Sequence, residues 1–496
     1  MDGVLSKLLS FPPHPPPPIP LSDSQYDEGI KEQIEVIRRL SNPILLQKTA
    51  GGEDTLDQVI NPAINTVPYT FILLASISVC SDGNETNTTK IWDKITAYLT
   101  LFDLRQIRYL GSEFTAIIDA AASFAQSTNR PGLALVPIRD ALLRLDPSGA
   151  VLTSNHLRLA RLALESRDYE ALGPFLDNIV LYVPDCIKIP KPKHLCAMNL
   201  NPVTYITSSS GLTATMNYID VLEYFICCGI ACLGIRKWKD ALKHFECAIT
   251  YPTRDAVSKP MVEAYKKWLL TGLITYGKAQ TMPKSTSSEV ARVYHSLARQ
   301  YDSLASVFEN GSASDLKKEA EQNEKKWITD SNSALVTEVL ASYQKFQIRN
   351  LAKIYHKISI VEIHNQTTSA GIDDNQLSVS DTERLVLKMI NDEELYATLS
   401  ASPPSPSILT FWPAGPILTE SQIQKELSTT KSRIQYLSQE IKMTDRNLKH
   451  DRDYIKHLQT QKKASQQGNS DNENQEVETV MSWNDIVEDE DIMGVY

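Results

Sequence analysis

The chain has 496 residues, 42% of them hydrophobic and 22% charged, which is the composition of a folded protein with a large buried core. Its length leaves room for about three domains. The formal net charge of −10 argues against a general binder of nucleic acid or of acidic membranes. The seven cysteines form no CxxC pair, and the N-terminus carries a proline tract where a secretion signal would have an apolar stretch. We therefore expect reduced thiols in a protein of the cytoplasm and nucleus.

The first predicted segment is a proline-rich, disordered tail over residues 1–24. Prolines dominate positions 12–18, a composition typical of polyproline II and too poor in apolar residues to fold. An SH3 or WW module is a possible ligand of such a tract, but a tail without a partner is the favoured interpretation.

Residues 25–332 are predicted to form a solenoid of helical repeats of the tetratricopeptide (TPR) type. Apolar positions recur at helical spacing, with few strand signals, over 30–40, 69–79, 91–101, 114–125, 157–165 and 168–179. One repeat signature stands out, consisting of Gly229, Trp238, Ala241, Phe245, Ala248 and Pro252. Its small residues would let two helices approach closely, and we expect Trp238 and Phe245 to fill the gap between them. Hairpins of this kind stack into a solenoid.

Residues 333–412 are predicted to be a winged helix. Two helices over 333–365 precede a third that opens with a capping box of Ser380 and Glu383. The apolar period then shortens to two, which predicts two strands separated by a proline-rich turn. The strand residues form a wing that we expect to present a sheet edge to partners, through Leu395, Ala397, Leu399, Leu409 and Phe411.

Residues 417–462 are predicted to form one long helix with an apolar stripe at heptad spacing. A single helix cannot bury such a stripe on itself, so the stripe indicates partner helices. Its members are Ile423, Leu427, Ile434, Leu437, Ile441, Leu448, Ile455 and Leu458. The tail over 463–496 is polar and ends in an acidic run with one tryptophan, which we interpret as disordered, with a short docking motif as the alternative.

No catalytic pattern is present in the sequence. It contains no GxGxxG or GxxxxGK loop for phosphates, no HExxH, and no histidine and cysteine spacing suited to a metal. We therefore predict a protein that is not an enzyme and that has no cofactor, no metal and no small-molecule substrate.

Winged helices also bind DNA, and basic residues do lie near this one, namely Lys345, Arg349, Lys353, Lys357 and Lys388. The turn over 400–408, however, has neither lysine nor arginine, whereas a nucleic-acid binder normally carries positive charge there. Protein contact through the strand edge is the better interpretation.

The order of solenoid, winged helix and terminal helix resembles the PCI domain, which is shared by subunits of the proteasome lid, the COP9 signalosome and a translation initiation factor. Over 223–287 the chain is most similar to the signalosome members of this family. The residues that carry the similarity are Trp238–Leu242, Phe245–Thr250, Met261–Trp268, Gly277-Lys278 and Met282–Lys284.

The resemblance implies a non-catalytic scaffold subunit of the signalosome, the complex that removes a ubiquitin-like modifier from cullins and so regulates cullin-RING ubiquitin ligases. In that complex winged helices pack edge to edge, C-terminal helices form one bundle, and the isopeptidase is a different, zinc-carrying subunit. Glu393 departs from the family, which usually has glycine there, so the turn into the wing is expected to differ. A proteasome-lid subunit, a winged-helix nucleic-acid binder and a free-standing repeat adaptor are the alternatives.

Overall fold

The computed structural model is mainly helical, with one small sheet, over the residues that it describes. These are residues 6, 8–13, 21–46, 60–80, 85–178, 180–185, 192–198, 200–252, 257–367, 378–392, 394–400, 407–412, 419–450 and 454–456. The chain divides into two compact units, Met1–Phe411 and Trp412–Tyr496. Among the described residues, no helix is both long and apolar enough to cross a membrane.

Helices follow one another through the first unit. The first nine are α1 (Asp23–Arg38), α2 (Asn42–Leu45), α3 (Thr66–Cys80), α4 (Glu85–Leu101), α5 (Leu104–Ile107), α6 (Gly111–Ser127), α7 (Leu135–Leu145), α8 (Ser154–Ser166) and α9 (Gly173–Asp177). The next eight are α10 (Pro202–Tyr205), α11 (Tyr218–Gly234), α12 (Trp238–Ile249), α13 (Lys259–Tyr276), α14 (Ser288–Leu297), α15 (Arg299–Asn310), α16 (Ala313–Gln322) and α17 (Glu324–Thr329). They share one large apolar core, which confirms the helical-repeat fold.

Five of the predicted repeat helices are present, and each begins three to seven residues before its predicted start. Helix α1, for example, begins at Asp23, where the Ser22 side chain accepts a hydrogen bond from the Gln25 amide. The predicted helix over 168–179 is wrong. The chain forms a 3₁₀ turn at Glu170–Leu172 and then the five-residue α9, because Pro174 lacks the N–H that a continuous helix would need.

The hairpin of α11 and α12 shows why its small residues matter. A Cβ atom added at Gly229 would lie 2.4 Å from the Phe245 ring, and that ring is fully buried. Gly229 therefore permits the close approach that the signature predicts. The expectation for Trp238 is wrong, since its side chain is only half-buried and lines a groove at the start of α12.

Part of the N-terminal tail belongs to the fold. Leu8 is buried, Phe11 packs edge-on against Tyr26, and the Gln33 side-chain amide donates hydrogen bonds to the carbonyls of Leu8 and Phe11. The expectation of a wholly disordered tail is therefore wrong for these positions. Apolar side chains on both sides of the contact explain the difference. The prolines at 15–18 lie outside the described residues.

The winged helix consists of α18 (Ser333–Leu351), β1 (Lys357–Ser359), α19 (Ile360–Gln366), α20 (Val379–Asn391), β2 (Ala397–Ser400) and β3 (Ile408–Phe411). Its sheet is antiparallel in the order β1-β3-β2, with Ile358 opposite Leu409 and Leu409 opposite Leu399. Strand β1 was not predicted. Ile358, assigned to a helix from its spacing, is a strand residue because β3 supplies hydrogen-bond partners from far along the chain.

The cap of α20 also differs from the prediction. The capping box is formed by Ser378 and Asp381, two residues before the predicted pair. Glu383 instead accepts a hydrogen bond from the Ser407 hydroxyl, which ties α20 to the residue before β3. Glu393, the departure from the family pattern, lies outside the described residues.

The second unit contains α21 (Glu420–His450), a helix of 31 residues. At about 1.5 Å per residue it is about 46 Å long. The predicted bundling helix over 417–462 is thus present over most of its length, and the acidic tail lies outside the described residues. The boundaries of the five segments drawn from the sequence stay predictions.

Candidate interaction surfaces

The five predicted wing residues form the interior of the winged helix. Leu395, Ala397, Leu409 and Phe411 are buried in a second apolar core that also includes Ile348, Ile358, Ile360, Ile363, Val386 and Met389, and Leu399 packs against it. Their side chains are therefore not a contact surface. In addition, Leu409 and Phe411 lie on the central strand β3, not at an edge.

The edges of the sheet are β1 and β2, each of which pairs only with β3 among the described residues. Strand β2 turns Thr398 and Ser400 outward, while Ala397 and Leu399 face the core. Because β2 is an edge strand, the backbone N–H and C=O groups on its outer side pair with no further strand among the described residues, and none of its four residues is charged. Another strand can add to an edge of this type. Sequence alternation finds the inward residues but does not show which strand is the edge.

Two of the basic residues near the wing hold the domain together. The Lys345 ammonium lies 2.8 Å from a Glu394 carboxylate oxygen, and the Arg349 Nε donates to the Glu394 carbonyl at 3.0 Å. Lys353, in the turn after α18, donates to the side chain of Asn350 near the end of that helix. On α20, Arg384 pairs with Asp381 at 3.3 Å. Lys345, Arg349 and Lys353 thus contact groups of the protein itself, whereas Lys357 and Lys388 are exposed.

The heptad stripe of α21 is exposed. Ile434, Ile441 and Leu427 are 61–64% exposed, and Ile423, Leu448 and Ile455 are about 40–42% exposed. Leu437 is half-buried, and Leu458 lies outside the described residues. Single apolar residues at a protein surface are common, but a row of them along one face of a helix is not. This stripe is therefore the strongest candidate for a contact with a partner.

Most of the cysteine side chains that the structure describes are buried. Cys196, Cys227, Cys228 and Cys232 are buried free thiols, while Cys247 is exposed. Burial raises the pKa of Cys227 and of Cys232 to about 12, so neither is a thiolate nucleophile at neutral pH. Within the described ranges, no three histidine, cysteine or acidic side chains are grouped so that they could hold a metal ion.

A groove that the sequence did not indicate lies where the repeats meet the winged helix. Its volume is 560 Å³, and its walls include Trp238, Ile274, Tyr276, Arg349 and Tyr396. Tyr276 and Tyr396 are substantially exposed. These residues come from α12, α13, α18 and the turn before β2, so only the tertiary fold brings them together. Aromatic and arginine side chains are enriched at protein contacts, which makes the groove a further candidate surface.

Together the fold and these surfaces define a class: a helical-repeat protein in which the repeats are followed by a winged helix and a long helix with an exposed apolar stripe, with candidate contact surfaces on the last two. The family model for the N-terminal helical repeats of COP9 signalosome complex subunit 3 matches residues 29–290. The COP9 signalosome complex subunit 3 of Emericella nidulans is 32% identical over 81% of each chain. That of Neurospora crassa is 31% identical over 92% of this chain and 91% of its own. The chain therefore belongs to the COP9 signalosome subunit 3 family.

Proposed function

We propose that this protein is a scaffold subunit of the COP9 signalosome and has no catalytic activity of its own. Membership of the family supports the assignment to this complex. The exposed stripe of α21 is the observation that best supports a scaffold role. Acting within this complex, the protein would contribute to removal of a ubiquitin-like modifier from cullins, and so to regulation of cullin-RING ubiquitin ligases, in the cytoplasm and nucleus. The catalytic step would belong to another subunit.

The stripe is the main anchor in this proposal. Burying a leucine or isoleucine that is otherwise exposed contributes about 1.5–3 kcal/mol. Six stripe residues expose about 40% or more of their surface, so helices from other subunits would gain several such contributions by covering them. Heptad spacing further specifies helices as the occupants, because knobs from one helix fit holes on another only at this period.

The winged helix supplies the second contact in the proposal. A strand from a neighbouring subunit would add to the outer side of β2, where backbone groups and not the buried Leu395, Ala397 and Leu399 make the bonds. Nucleic acid is not an expected partner, because Lys345 and Arg349 are engaged with Glu394.

The proposal is tested by replacing Ile434, Leu437 and Ile441 with aspartate in the full chain. Affinity purification followed by mass spectrometry should recover the other signalosome subunits with the unaltered protein and lose them with the variant. Replacing Gln435, Ser438 and Lys442 with aspartate is the matched control. It moves the same spacing one residue along the helix, onto exposed positions outside the stripe, and should leave recovery unchanged.

Normal recovery with the stripe variant would show that the stripe is not the anchor. Recovery of proteasome-lid proteins alone would instead identify the chain as a subunit of the proteasome lid. Circular dichroism should show that both variants keep a folded repeat region. A gel shift at low salt, absent in the expected case, tests the nucleic-acid alternative.

A further inference from the structure

Helix α18 belongs to both apolar cores of the first unit. Val336, Val339 and Tyr343, in its first half, pack in the core of the repeats. Ile348 and Leu351, near its end, pack in the core of the winged helix. The direction of this one helix therefore sets how the winged helix is oriented on the repeats.

The start of α18 is held by a buried charge cluster, which consists of Lys266, Asp330, Tyr301 and Asn332. The Lys266 ammonium of α13 lies 2.8 Å from an Asp330 carboxylate oxygen, and the Tyr301 hydroxyl donates to the same oxygen at 2.9 Å. The Asn332 amide donates to the Tyr301 oxygen at 2.8 Å. Lys266 and Asp330 expose only 6% and 8% of their side chains, so this cluster is directional and shielded from water.

A second point of attachment lies further along the same two helices. Gly277, at the end of α13, has φ +70°, and a Cβ atom added there would lie 2.4 Å from the Phe346 ring of α18. Phe346 in turn packs edge-on against Phe308 at 6.0 Å between ring centroids. The absence of a side chain at Gly277 is thus what allows α18 to lie this close to α13.

The two points are well separated. Asn332 and Phe346 are about 21 Å apart along α18, and Lys266 and Gly277 are about 16 Å apart along α13, at 1.5 Å per residue. One contact between two helices would leave them free to pivot about it. Two contacts this far apart remove that freedom.

We propose that the buried charge cluster and the Gly277–Phe346 contact form a two-point joint that fixes the orientation of the winged helix relative to the repeats. Relative motion is the ordinary expectation for parts of a chain with separate cores. Here the joint removes it, so surfaces on the repeats and on the winged helix are presented to partners as one fixed arrangement. Residues of the joint are positioning residues and touch no partner in this proposal.

The joint is tested in the isolated full chain by measuring distances between two spin labels. One label replaces Lys243 on α12 and the other replaces Lys388 on α20, both exposed, in a background with Cys80, Cys186 and Cys247 changed to serine. The unaltered joint should give one narrow distribution of distances. Gly277→Ala should shift or broaden it, because the added methyl group meets the ring and the residue keeps an unfavourable positive φ. Asp330→Asn should broaden it by weakening the other point.

Gly173→Ala is the matched control, because a Cβ atom there meets nothing within 4 Å, and it should leave the distribution narrow. Gly277→Ala combined with Phe346→Leu should recover part of the original distribution, since the smaller side chain makes room. If Gly277→Ala does not fold, the distance distributions of Asp330→Asn and Phe346→Leu test the joint instead. A broad distribution for the unaltered joint would overturn the proposal. Distributions unchanged in every joint variant would overturn it as well.

Discussion

The contact between Gly229 and Phe245 makes a prediction about stability. Gly229→Ala adds one methyl group in the middle of α11, facing α12. Its Cβ would lie 2.4, 2.7 and 2.8 Å from three carbon atoms of the Phe245 ring, well inside van der Waals contact. The ring is fully buried in the repeat core, so it has no free space into which to retreat.

Two opposing effects decide the size of the change. In an unobstructed helix, glycine to alanine stabilises by about 1 kcal/mol. Overpacking a well-filled core costs about 1–3 kcal/mol, and the upper end applies at Gly229 because three ring atoms clash at once. We therefore expect Gly229→Ala to lower the free energy of unfolding by about 2 kcal/mol after the helix gain is subtracted.

Urea unfolding followed by circular dichroism measures this change. The midpoint should fall for Gly229→Ala, with the slope unchanged. The double variant Gly229→Ala, Phe245→Leu should lose less stability than the two single variants lose in total, because the smaller side chain removes the clash. A variant Gly229→Ala that is more stable than the unaltered chain would refute the reasoning, since it would show that the ring moves aside at no cost.

Two further predictions concern buried titratable groups. Burial lowers the pKa of His156 from 6.5 to about 4. Between pH 6.5 and pH 4 the unfolded chain therefore binds more protons than the folded chain. The free energy of unfolding should fall by up to about 3 kcal/mol as the pH drops through this range. His156→Gln keeps an N3 capping residue and should flatten this part of a plot of unfolding midpoint against pH; an unchanged slope would contradict the assignment. Asp330→Ala should cost about 3 kcal/mol, because the buried Lys266 keeps only its pair with Glu263 and the Tyr301 hydroxyl loses its acceptor. Glu223→Ala, which removes a half-exposed pair with Arg161, should cost about 1 kcal/mol or less. Equal losses in urea unfolding would show that burial does not separate the two pairs.

The sequence predicted elements well where the signal is local. Helical periodicity located five repeat helices, and the small residues of one signature anticipated the close approach at Gly229. Sequence patterns gave wrong predictions where contacts with distant residues determine the local structure. Strand β1 forms because β3 offers it partners about fifty residues along the chain, and the cap of α20 falls on Ser378 although Ser380 fits the same local pattern.

The candidate surfaces divide in the same way. Heptad spacing alone predicted the stripe on α21, because the need to cover an apolar row follows from composition and period. The wing residues were correctly placed on strands, but their burial was visible only once the sheet order put Leu409 and Phe411 at its centre. The interface roles of the stripe and of the sheet edge stay predictions.

By itself, then, the sequence determined the mainly helical class, the order of repeats, winged helix and terminal helix, and the apolar stripe on that last helix, because each follows from short-range periodicity. Only the tertiary structure decided which strand is the sheet edge, which basic residues are engaged, and how α13 holds α18. Those features depend on groups such as Lys266 and Asp330, or Gly277 and Phe346, which lie more than sixty residues apart and meet only when the cores close.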